Sequence, residues 1–336
     1  MTNGQYAALV PRLAGLRVLV VGDVSLDEYV FGHATRLSRE APIPVLEWMR
    51  REIILGGAAN PARNIVALGS STTQVGVVGD DAQGEQLHAA LQGAGISPAG
   101  LITSTRRPTT TKTRILSHEP PRLPQQVARI DRLDRNELTP TDEQRIIAML
   151  ETHIPQVDVV LCSDYQLGLL TPRVVDSVRS LCRFHGVLLT VDAQGNSHYY
   201  RGVDLFRCND AEAAAALGRS LETEEEFRAG LTELQARLQA RLVIVTRGPE
   251  GLSLLGETVE YVHLPATNIS EVYDTTGAGD TFIAVATLAL AARVDPYATA
   301  HLANAAAAQV VRRLGNAVVT PAELMQAATA AQHIKT

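Results

Sequence analysis

The chain contains few lysines and cysteines, and each shortage argues against a class of protein. Only Lys112 and Lys335 are lysines, and the net charge of the 336 residues is −6. Because nucleic-acid-binding proteins normally present a basic field, this balance argues against one. The three cysteines, Cys162, Cys182 and Cys208, have no CxxC spacing. We expect reduced, buried thiols rather than disulfides or metal ligands.

Long apolar segments are also missing. No stretch reaches the ~18 apolar residues that a membrane span needs, and the N-terminus lacks a secretory signal pattern. The apolar run 282–292 is short enough for a buried helix. Hydrophobic residues nevertheless make up 46% of the chain, which is sufficient for a sizeable core. We therefore expect a soluble, cytoplasmic protein with neither a membrane nor a nucleic acid as a partner.

Short apolar runs followed directly by a polar turn recur along the chain. Segments of helical periodicity lie between them, and this alternation predicts a mostly parallel sheet with helices on both faces. Ligands of such sheets bind outside the carboxyl ends of the strands. The predicted strands are 16–21, 157–162, 186–191 and 242–245, the predicted helices are 141–153, 172–185 and 223–240, and the polar residues expected at strand ends are Asp23, Asp27, Asp164, Asp192 and Thr246.

Two stretches, 29–54 and 109–133, break this alternation. Both contain prolines and alternating β-type residues, so we expect short strands outside the main sheet that form a small β-lid. The proline-rich segment 120–124 is expected to be a mobile loop. The pattern predicts a single domain over residues 1–336, and the lid is part of that domain.

The segment DTTGAGDTF, residues 274–282, leads directly into an apolar helical run. Its glycines, Gly277 and Gly279, permit close backbone approach and unusual dihedral angles. The N–H groups of a first helical turn lack intrahelical partners and attract anions, so this turn predicts an anion-binding site. Asp280 would repel a phosphate there, and we interpret it as the base that accepts a proton from an attacking hydroxyl. The alternative is that Asp280 simply caps the helix.

A second glycine-rich segment, GGAANPARN at 56–64, is followed by LG at 68–69 and GDD at 79–81. Together the two segments, about 220 residues apart, resemble the paired signatures of the ribokinase-like (PfkB) carbohydrate kinases. The resemblance implies a three-layer α/β/α sandwich with a mostly parallel central sheet and a small β-lid. It also implies phosphoryl transfer from ATP to a sugar hydroxyl with Mg²⁺ and, in many members, a monovalent cation such as K⁺.

The resemblance also implies a role for each matching residue. Taken alone, Asn60 could be a helix cap and Glu212 a solvated helix residue. The implied catalytic turn is Gly277, Ala278, Gly279 and Asp280; the sugar contacts are Asp27, Gly56, Gly57 and Asn60; Mg²⁺ and phosphate are organised by Asn209 and Glu212; the nucleotide lies by Thr246, Gly248, Gly251 and Asn304; and the monovalent cation lies by Asp274 and Gly315.

The stretch RLSREAPIPV, residues 36–45, narrows the resemblance to the D-glycero-heptose-7-phosphate kinases. That branch implies phosphorylation at C1 of D-glycero-D-manno-heptose 7-phosphate, which gives the 1,7-bisphosphate. The phosphate of such a substrate needs a cationic partner, and planar arginine suits it. The alternative is that the basic side chains are solvent-exposed lid charges. The candidates for substrate binding in this branch are Arg36, Lys112, Arg114, Arg129 and Asp164.

The chain departs from this branch at Gln194, which stands where heptose kinases commonly have lysine. Arg201 or Arg247 is a candidate replacement for that cation. No H-x-G-H nucleotide-transfer motif occurs, so we expect no nucleotidyltransferase domain. The resemblance further implies a homodimer formed through the lid.

Three other functions stay open from the sequence. The first is a kinase for another sugar or a nucleoside, such as fructose, ribose or a phosphosugar, and the second is a catalytically silent sugar-binding regulator. A nicotinamide-dependent dehydrogenase fits the α/β pattern alone, because no G-x-G-x-x-G follows the first predicted strand.

Overall fold

The computed structural model describes residues 3–119, 124–267, 272, 274–313 and 315–330. The proline-rich segment predicted at 120–124 lies mostly outside these residues. The strands are β1 (Arg17–Gly22), β2 (Val24–Leu37), β3 (Pro44–Gly57), β4 (Ser71–Gly79), β5 (Ser97–Ser104), β6 (Thr111–Ser117), β7 (Gln125–Arg132), β8 (Val159–Asp164), β9 (Leu188–Ala193), β10 (Leu205–Asn209), β11 (Leu242–Thr246), β12 (Leu252–Gly256) and β13 (Val259–Leu264). The helices are α1 (Asn3–Ala7), α2 (Ala59–Ala67), α3 (Ala82–Gly93), α4 (Pro140–His153), α5 (Pro172–His185), α6 (Asp210–Leu217), α7 (Glu224–Leu238), α8 (Ala278–Ala291), α9 (Pro296–Val310) and α10 (Pro321–Ala330).

Nine strands form the main sheet, in the order β13-β12-β11-β10-β9-β8-β1-β4-β5. The pairs from β11 to β5 are all parallel, whereas β12 and β13 are antiparallel additions at one edge. Parallel strands need crossover connections, which the intervening helices supply. The predicted α/β fold with a mostly parallel sheet is confirmed.

The side chains of β1 alternate between two separate cores. Val18 and Val20 belong to the core that includes α2, α8, α9 and α10. Leu19 and Val21 belong to the other core, which includes α4, α5 and α7. A strand buried on both faces reads as a continuous apolar run, as this one does. The sheet is therefore the middle of three layers.

The strands β3, β2, β6 and β7 form a second, four-stranded sheet in that order. The expectation of short strands in this region is wrong for β2 and β3, which each have 14 residues. The chain passes from β1 into β2 through Asp23 alone, so the second sheet continues directly from the carboxyl end of the first. Asp27, expected at that end, lies instead within β2.

The cysteines Cys162, Cys182 and Cys208 are buried and free, as predicted. Burial raises the pKa of each thiol, which keeps all three protonated and unreactive. Across the described ranges, no helix is both long and apolar enough to cross a membrane.

Candidate active site

The first turn of α8 lies at the centre of the candidate site. Gly277 precedes the helix in the left-handed conformation, with φ of +80°. A side chain there would lie 2.9 Å from Nδ2 of Asn60, so glycine is needed both for the turn and for the close approach. Asp280 is the third residue inside the helix and does not cap it. The capping interpretation of Asp280 is therefore wrong.

The carboxylate of Asp280 is half-buried and accepts two hydrogen bonds from side chains far away in sequence. Nδ2 of Asn60 donates to Oδ2 at 2.7 Å, and the hydroxyl of Tyr165 donates to Oδ1 at 2.5 Å. Removal from water raises the pKa of Asp280 to about 6, against the lowering effect of these two hydrogen bonds. The group is thus ionised at neutral pH but closer to proton uptake than an exposed aspartate.

Asp23 holds the loop that carries Tyr165. Its Oδ2 accepts the backbone N–H groups of Tyr165 and Leu167, each at 3.0 Å, and Oδ1 accepts that of Leu169 at 3.3 Å. Burial, assisted by nearby Asp164, raises the pKa of Asp23 to about 6. Asp23 therefore acts as an anchor for the loop and places the tyrosine hydroxyl against Asp280.

Buried oxygens without a protein partner gather beside Asp280. Among the described residues, Oγ of Ser25, Oδ1 of Asp27 and Oδ1 of Asn60 accept or donate no hydrogen bond. The other Asp27 oxygen accepts from Asn316 at 3.0 Å. A side chain on Gly56 would lie 2.7 Å from the Ser25 hydroxyl, so the glycine keeps this space open. A ligand with several hydroxyls matches such a cluster.

Gly57 shapes the same cradle from the backbone side. It has φ of +55°, and a side chain on it would lie 2.2 Å from the carbonyl oxygen of Asp23. Asn64 joins the two glycine-rich segments, because it accepts a hydrogen bond from the hydroxyl of Thr281 at 3.1 Å. The helices α2 and α8 are thereby locked together under the site.

Three of the four predicted phosphate-binding cations lie together on the second sheet. Lys112 pairs in register with Asp27, and its ammonium lies 5.4 Å from the centre of the Tyr165 ring. Nη1 of Arg114 lies 3.3 Å from Oδ2 of Asp27, and Arg114 pairs in register with Arg129. Arg129 also binds Asp131 at 2.7 and 2.8 Å.

Arg36 does not join this group within one chain. It lies near the far end of β2, nine residues beyond Asp27. Nine residues of extended strand span roughly 30 Å, more than a sugar phosphate can bridge. Asp164 is also committed elsewhere, since it accepts the Tyr200 hydroxyl at 2.6 Å and the Gln166 N–H at 2.8 Å.

The first turn of α8 also forms part of the wall of a pocket of about 590 Å³. Its apolar lining includes Leu252, Phe282 and Val311, which suits a nucleobase, and Ala278 and Gly279 line it as well. The predicted nucleotide residues Thr246, Gly248, Gly251 and Asn304 all line it. Of the two residues expected to organise Mg²⁺ and phosphate, Asn209 lines it as well, whereas Glu212 lines a different cavity.

Contacts with the backbone account for the positions of two of these predicted nucleotide residues, Gly251 and Asn304. Gly251 has φ of +94°, and a side chain there would lie 2.1 Å from the carbonyl oxygen of Leu264. The amide of Asn304 donates to the carbonyl oxygen of Pro265 at 2.8 Å, which fixes its position in the wall.

The predicted metal residues make well-defined contacts with their neighbours. Asn209 and Glu212 form a reciprocal capping box at the start of α6, so Glu212 is not a free surface residue. Asp274 accepts the N–H groups of Thr276 at 2.9 Å and Gly315 at 2.8 Å, which joins the two positions expected near a monovalent cation. No cluster of three or more His, Cys, Asp or Glu side chains suited to a metal occurs in the described part of the chain.

Sequence reasoning missed Arg207, which lies within β10 and lines the same pocket of about 590 Å³. The strand itself was overlooked, because the arginine interrupts its apolar run. A charged residue between buried Phe206 and Cys208 was the available signal. Asn316 was also missed, since nothing in its local sequence connects it with Asp27.

Comparison with known proteins identifies the family. The model of the pfkB family carbohydrate kinases matches residues 17–323. The chain is 40% identical over 327 residues to the bifunctional protein HldE of Geobacter sulfurreducens, and 39% identical over 330 residues to that of Caulobacter vibrioides. Each match covers 97% of this chain, but 65% and 66% of the relative.

Solved structures agree with this assignment at the level of the fold. Phosphofructokinase-2 of Escherichia coli in complex with potassium has a TM-score of 0.76 at 18% identity, covering 95% of this chain and all of that one. Ribokinase of Arabidopsis thaliana, complexed with ribose and ATP, has a TM-score of 0.72 at 20% identity, covering 94% and 99%. The chain therefore belongs to the pfkB family of carbohydrate kinases and is a phosphotransferase that acts on a sugar hydroxyl.

Proposed function

We propose that this kinase transfers the γ-phosphoryl group of ATP to the C1 hydroxyl of D-glycero-D-manno-heptose 7-phosphate. Support comes from the HldE relatives, although the chain spans about 65% of their length. The observation that carries the proposal is the position of Asp280. It is hydrogen-bonded to Asn60, whose other amide atom is one of the unpartnered buried oxygens, and it directly follows Gly279, which lines a nucleotide-sized pocket.

Asp280 is the proposed general base. Its carboxylate is ionised at neutral pH, and Asn60 and Tyr165 fix its two oxygens. A pKa near 6 keeps it a useful proton acceptor while leaving it mostly charged at pH 7. It accepts the proton of the sugar hydroxyl as that oxygen bonds to phosphorus and the bond to ADP breaks.

The helix N-terminus is the proposed anion hole. The amides of Gly277, Ala278 and Gly279 face developing negative charge, and the helix dipole adds to the effect. Magnesium bound with the nucleotide would neutralise phosphate charge, with Asn209 and Glu212 as outer-shell residues. Because these two residues already bind each other, they suit contacts through water rather than direct ligation. Asp274 and Gly315 are the proposed surroundings of a potassium ion.

The cluster formed by Ser25, Asp27 and Asn60 is the proposed sugar-binding site, with Gly56 and Gly57 providing the space. Lys112, Arg114 and Arg129 are then the proposed partners of the distal phosphate. They lie on the second sheet, which we propose closes as a lid over the acceptor and excludes water.

We propose a homodimer formed through the second sheet. Its exposed apolar side chains include Leu37, Trp48 and Ile130, which are 71%, 72% and 61% exposed. Large exposed apolar side chains on one sheet favour a protein partner. A tetrameric form is known for Escherichia coli phosphofructokinase-2. Pairing would also bring Arg36 of each chain towards the other subunit.

The test is an ADP-release assay against free and phosphorylated sugars, including heptose 7-phosphate, fructose 6-phosphate and ribose. We expect heptose 7-phosphate to give the highest kcat/KM and a 1,7-bisphosphate product. In Asp280→Asn, kcat should fall by ~10² or more while ATP binding persists. Turnover near the wild-type rate in that variant would contradict the assignment of the base.

A second candidate is a kinase for another sugar or phosphosugar, favoured by the structural likeness to phosphofructokinase-2 and ribokinase. The grouped cations favour a phosphorylated acceptor over neutral ribose. A higher kcat/KM for fructose 6-phosphate than for the heptose would select this candidate.

A further inference from the structure

A buried arginine lies where the nucleotide pocket meets the first turn of α8, and the mechanism above does not use it. The side chain of Arg207 is 12% exposed and lines the pocket beside Thr246 and Gly279. Its neighbours in β10, Phe206 and Cys208, are buried. Desolvating a guanidinium inside a strand is costly, so a purely structural position would normally hold an apolar residue.

The guanidinium is held in one orientation. Nη1 donates to Oδ1 of Asp192 at 2.8 Å, and Nη2 donates to Oγ1 of Thr246 at 2.6 Å. Its buried Nε has no hydrogen-bond partner within the described ranges. A Cβ on Gly279 would lie 2.9 Å from Nη1 and 3.1 Å from Nη2. The cation therefore lies directly against the backbone of the first turn of α8.

This placement opposes the helix dipole. The N-terminus of a helix carries partial positive charge and favours anions, so a cation packed against it is unfavourable in the free protein. Asp192 neutralises the charge of Arg207 but leaves the partial positive charge of the helix N-terminus without a partner. Although burial acts to lower it, pairing with Asp192 raises the pKa of Arg207, so the guanidinium stays charged at every working pH. An anion bound between Arg207 and the helix would satisfy both positive groups.

We propose that Arg207 is a catalytic residue that binds the phosphoryl group during its transfer, with Asp192 and Thr246 as positioning residues. This proposal rests on the kinase function proposed above. The phosphorus–oxygen bond to ADP breaks, a bond to the acceptor oxygen forms, and Asp280 takes the hydroxyl proton. Arg207 forms no covalent bond and stabilises the charge on the transferring oxygens.

The two arginines considered from the sequence as replacement cations do not occupy this position. Arg247 binds Glu224 and Glu250 and packs over the ring of Phe227. Arg201 lines other cavities of the molecule, away from the nucleotide pocket. Arg207 is the arginine that lines the nucleotide pocket among the residues the structure describes.

The test compares Arg207→Met with the double variant Arg207→Met/Asp192→Asn. The single variant leaves Asp192 buried without its partner, so instability alone could reduce its activity. The double variant removes both charges and keeps the volume. Arg241→Met is the matched control, because Arg241 pairs with Asp204 and Glu257 at the opposite end of the same strands.

We expect kcat to fall by ~10²–10³ in both Arg207 variants, because removal of a donor that stabilises transition-state charge has effects of this size. The KM for ATP should change by less than about fivefold. Arg207→Ala should regain part of its kcat when guanidinium ion is added, and Arg241→Met should keep the wild-type kcat. A double variant with kcat within about threefold of wild type would overturn the proposal.

The assay uses whichever acceptor the wild-type enzyme phosphorylates fastest. If heptose 7-phosphate is not the preferred acceptor, the test of Arg207 is still valid. Asp280→Asn is measured in parallel, so failure of the base assignment is recognised separately from failure of the arginine assignment.

Discussion

Replacing Tyr165 by phenylalanine should shift the pH dependence of the reaction. The tyrosine hydroxyl donates a hydrogen bond to Oδ1 of Asp280, and that bond favours the ionised carboxylate. Burial raises the pKa of Asp280 to about 6 even with this bond in place. Without it, the pKa of Asp280 must rise further.

The size of the shift follows from the strength of the lost bond. A hydrogen bond to a charged group contributes about 1.5–3 kcal/mol, and one pKa unit corresponds to about 1.36 kcal/mol. The pKa should therefore rise by about one to two units in Tyr165→Phe.

The direction of the rate effect is also determined. A general base acts in its ionised form, so kcat/KM rises with pH through the pKa and is constant above it. The wild-type profile should rise near pH 6 and the variant profile near pH 7 to 8. The loss of activity is thus greatest in mild acid and small above pH 9.

The measurement is kcat/KM for the sugar acceptor from pH 5 to pH 10 with saturating ATP, which reports the titration of the enzyme–ATP complex. Tyr200→Phe is the matched control, because its buried hydroxyl also binds a carboxylate, that of Asp164. Its profile should rise at the wild-type pH. An equal loss at every pH in Tyr165→Phe would refute the reasoning and leave Tyr165 a purely geometric role.

Three further outcomes are expected. Asp280→Asn should raise the free energy of unfolding at pH 8 by about 3 kcal/mol and by less at pH 5, because a raised carboxylate pKa destabilises the folded state above that pKa. Thermal unfolding at both pH values measures this. Lys112→Met and Arg114→Met should raise KM for a phosphorylated acceptor at least tenfold more than for an unphosphorylated one, measured by ADP release. Trp48→Glu should shift the molar mass from light scattering to that of a monomer, and an unchanged mass would place the interface elsewhere.

Much of the fold could be predicted from local signals. The helix predicted over 172–185 matches α5, because Thr171 caps its start, Pro172 occupies its first position and Gly186 ends it in the left-handed conformation. Four strands were located from apolar runs because parallel strands buried on both faces read continuously. The strand β10 was not, since Arg207 divides its apolar residues.

The sequence predicted the candidate site only where its residues are contiguous in a short motif. The turn at Gly277–Asp280 is contiguous, and its role follows from helix geometry. The hydrogen-bond partners of Asp280 are Asn60 and Tyr165, which are distant in sequence and are brought to it only by the tertiary fold. Spacing likewise gave no means of knowing that β2 carries Arg36 away from Asp27.

In the free protein, several polar and charged groups of this site lack favourable partners. Oxygens of Ser25, Asp27 and Asn60 are buried without partners, and each such group costs about 1–3 kcal/mol. Asp280 is ionised in surroundings that favour its protonation, and Arg207 lies against the positive end of a helix. A polyol, whose hydroxyls donate to the oxygens and give a proton to Asp280, relieves the first two. A phosphoryl group relieves the third, so the arrangement is complementary to the two substrates bound together rather than to either alone.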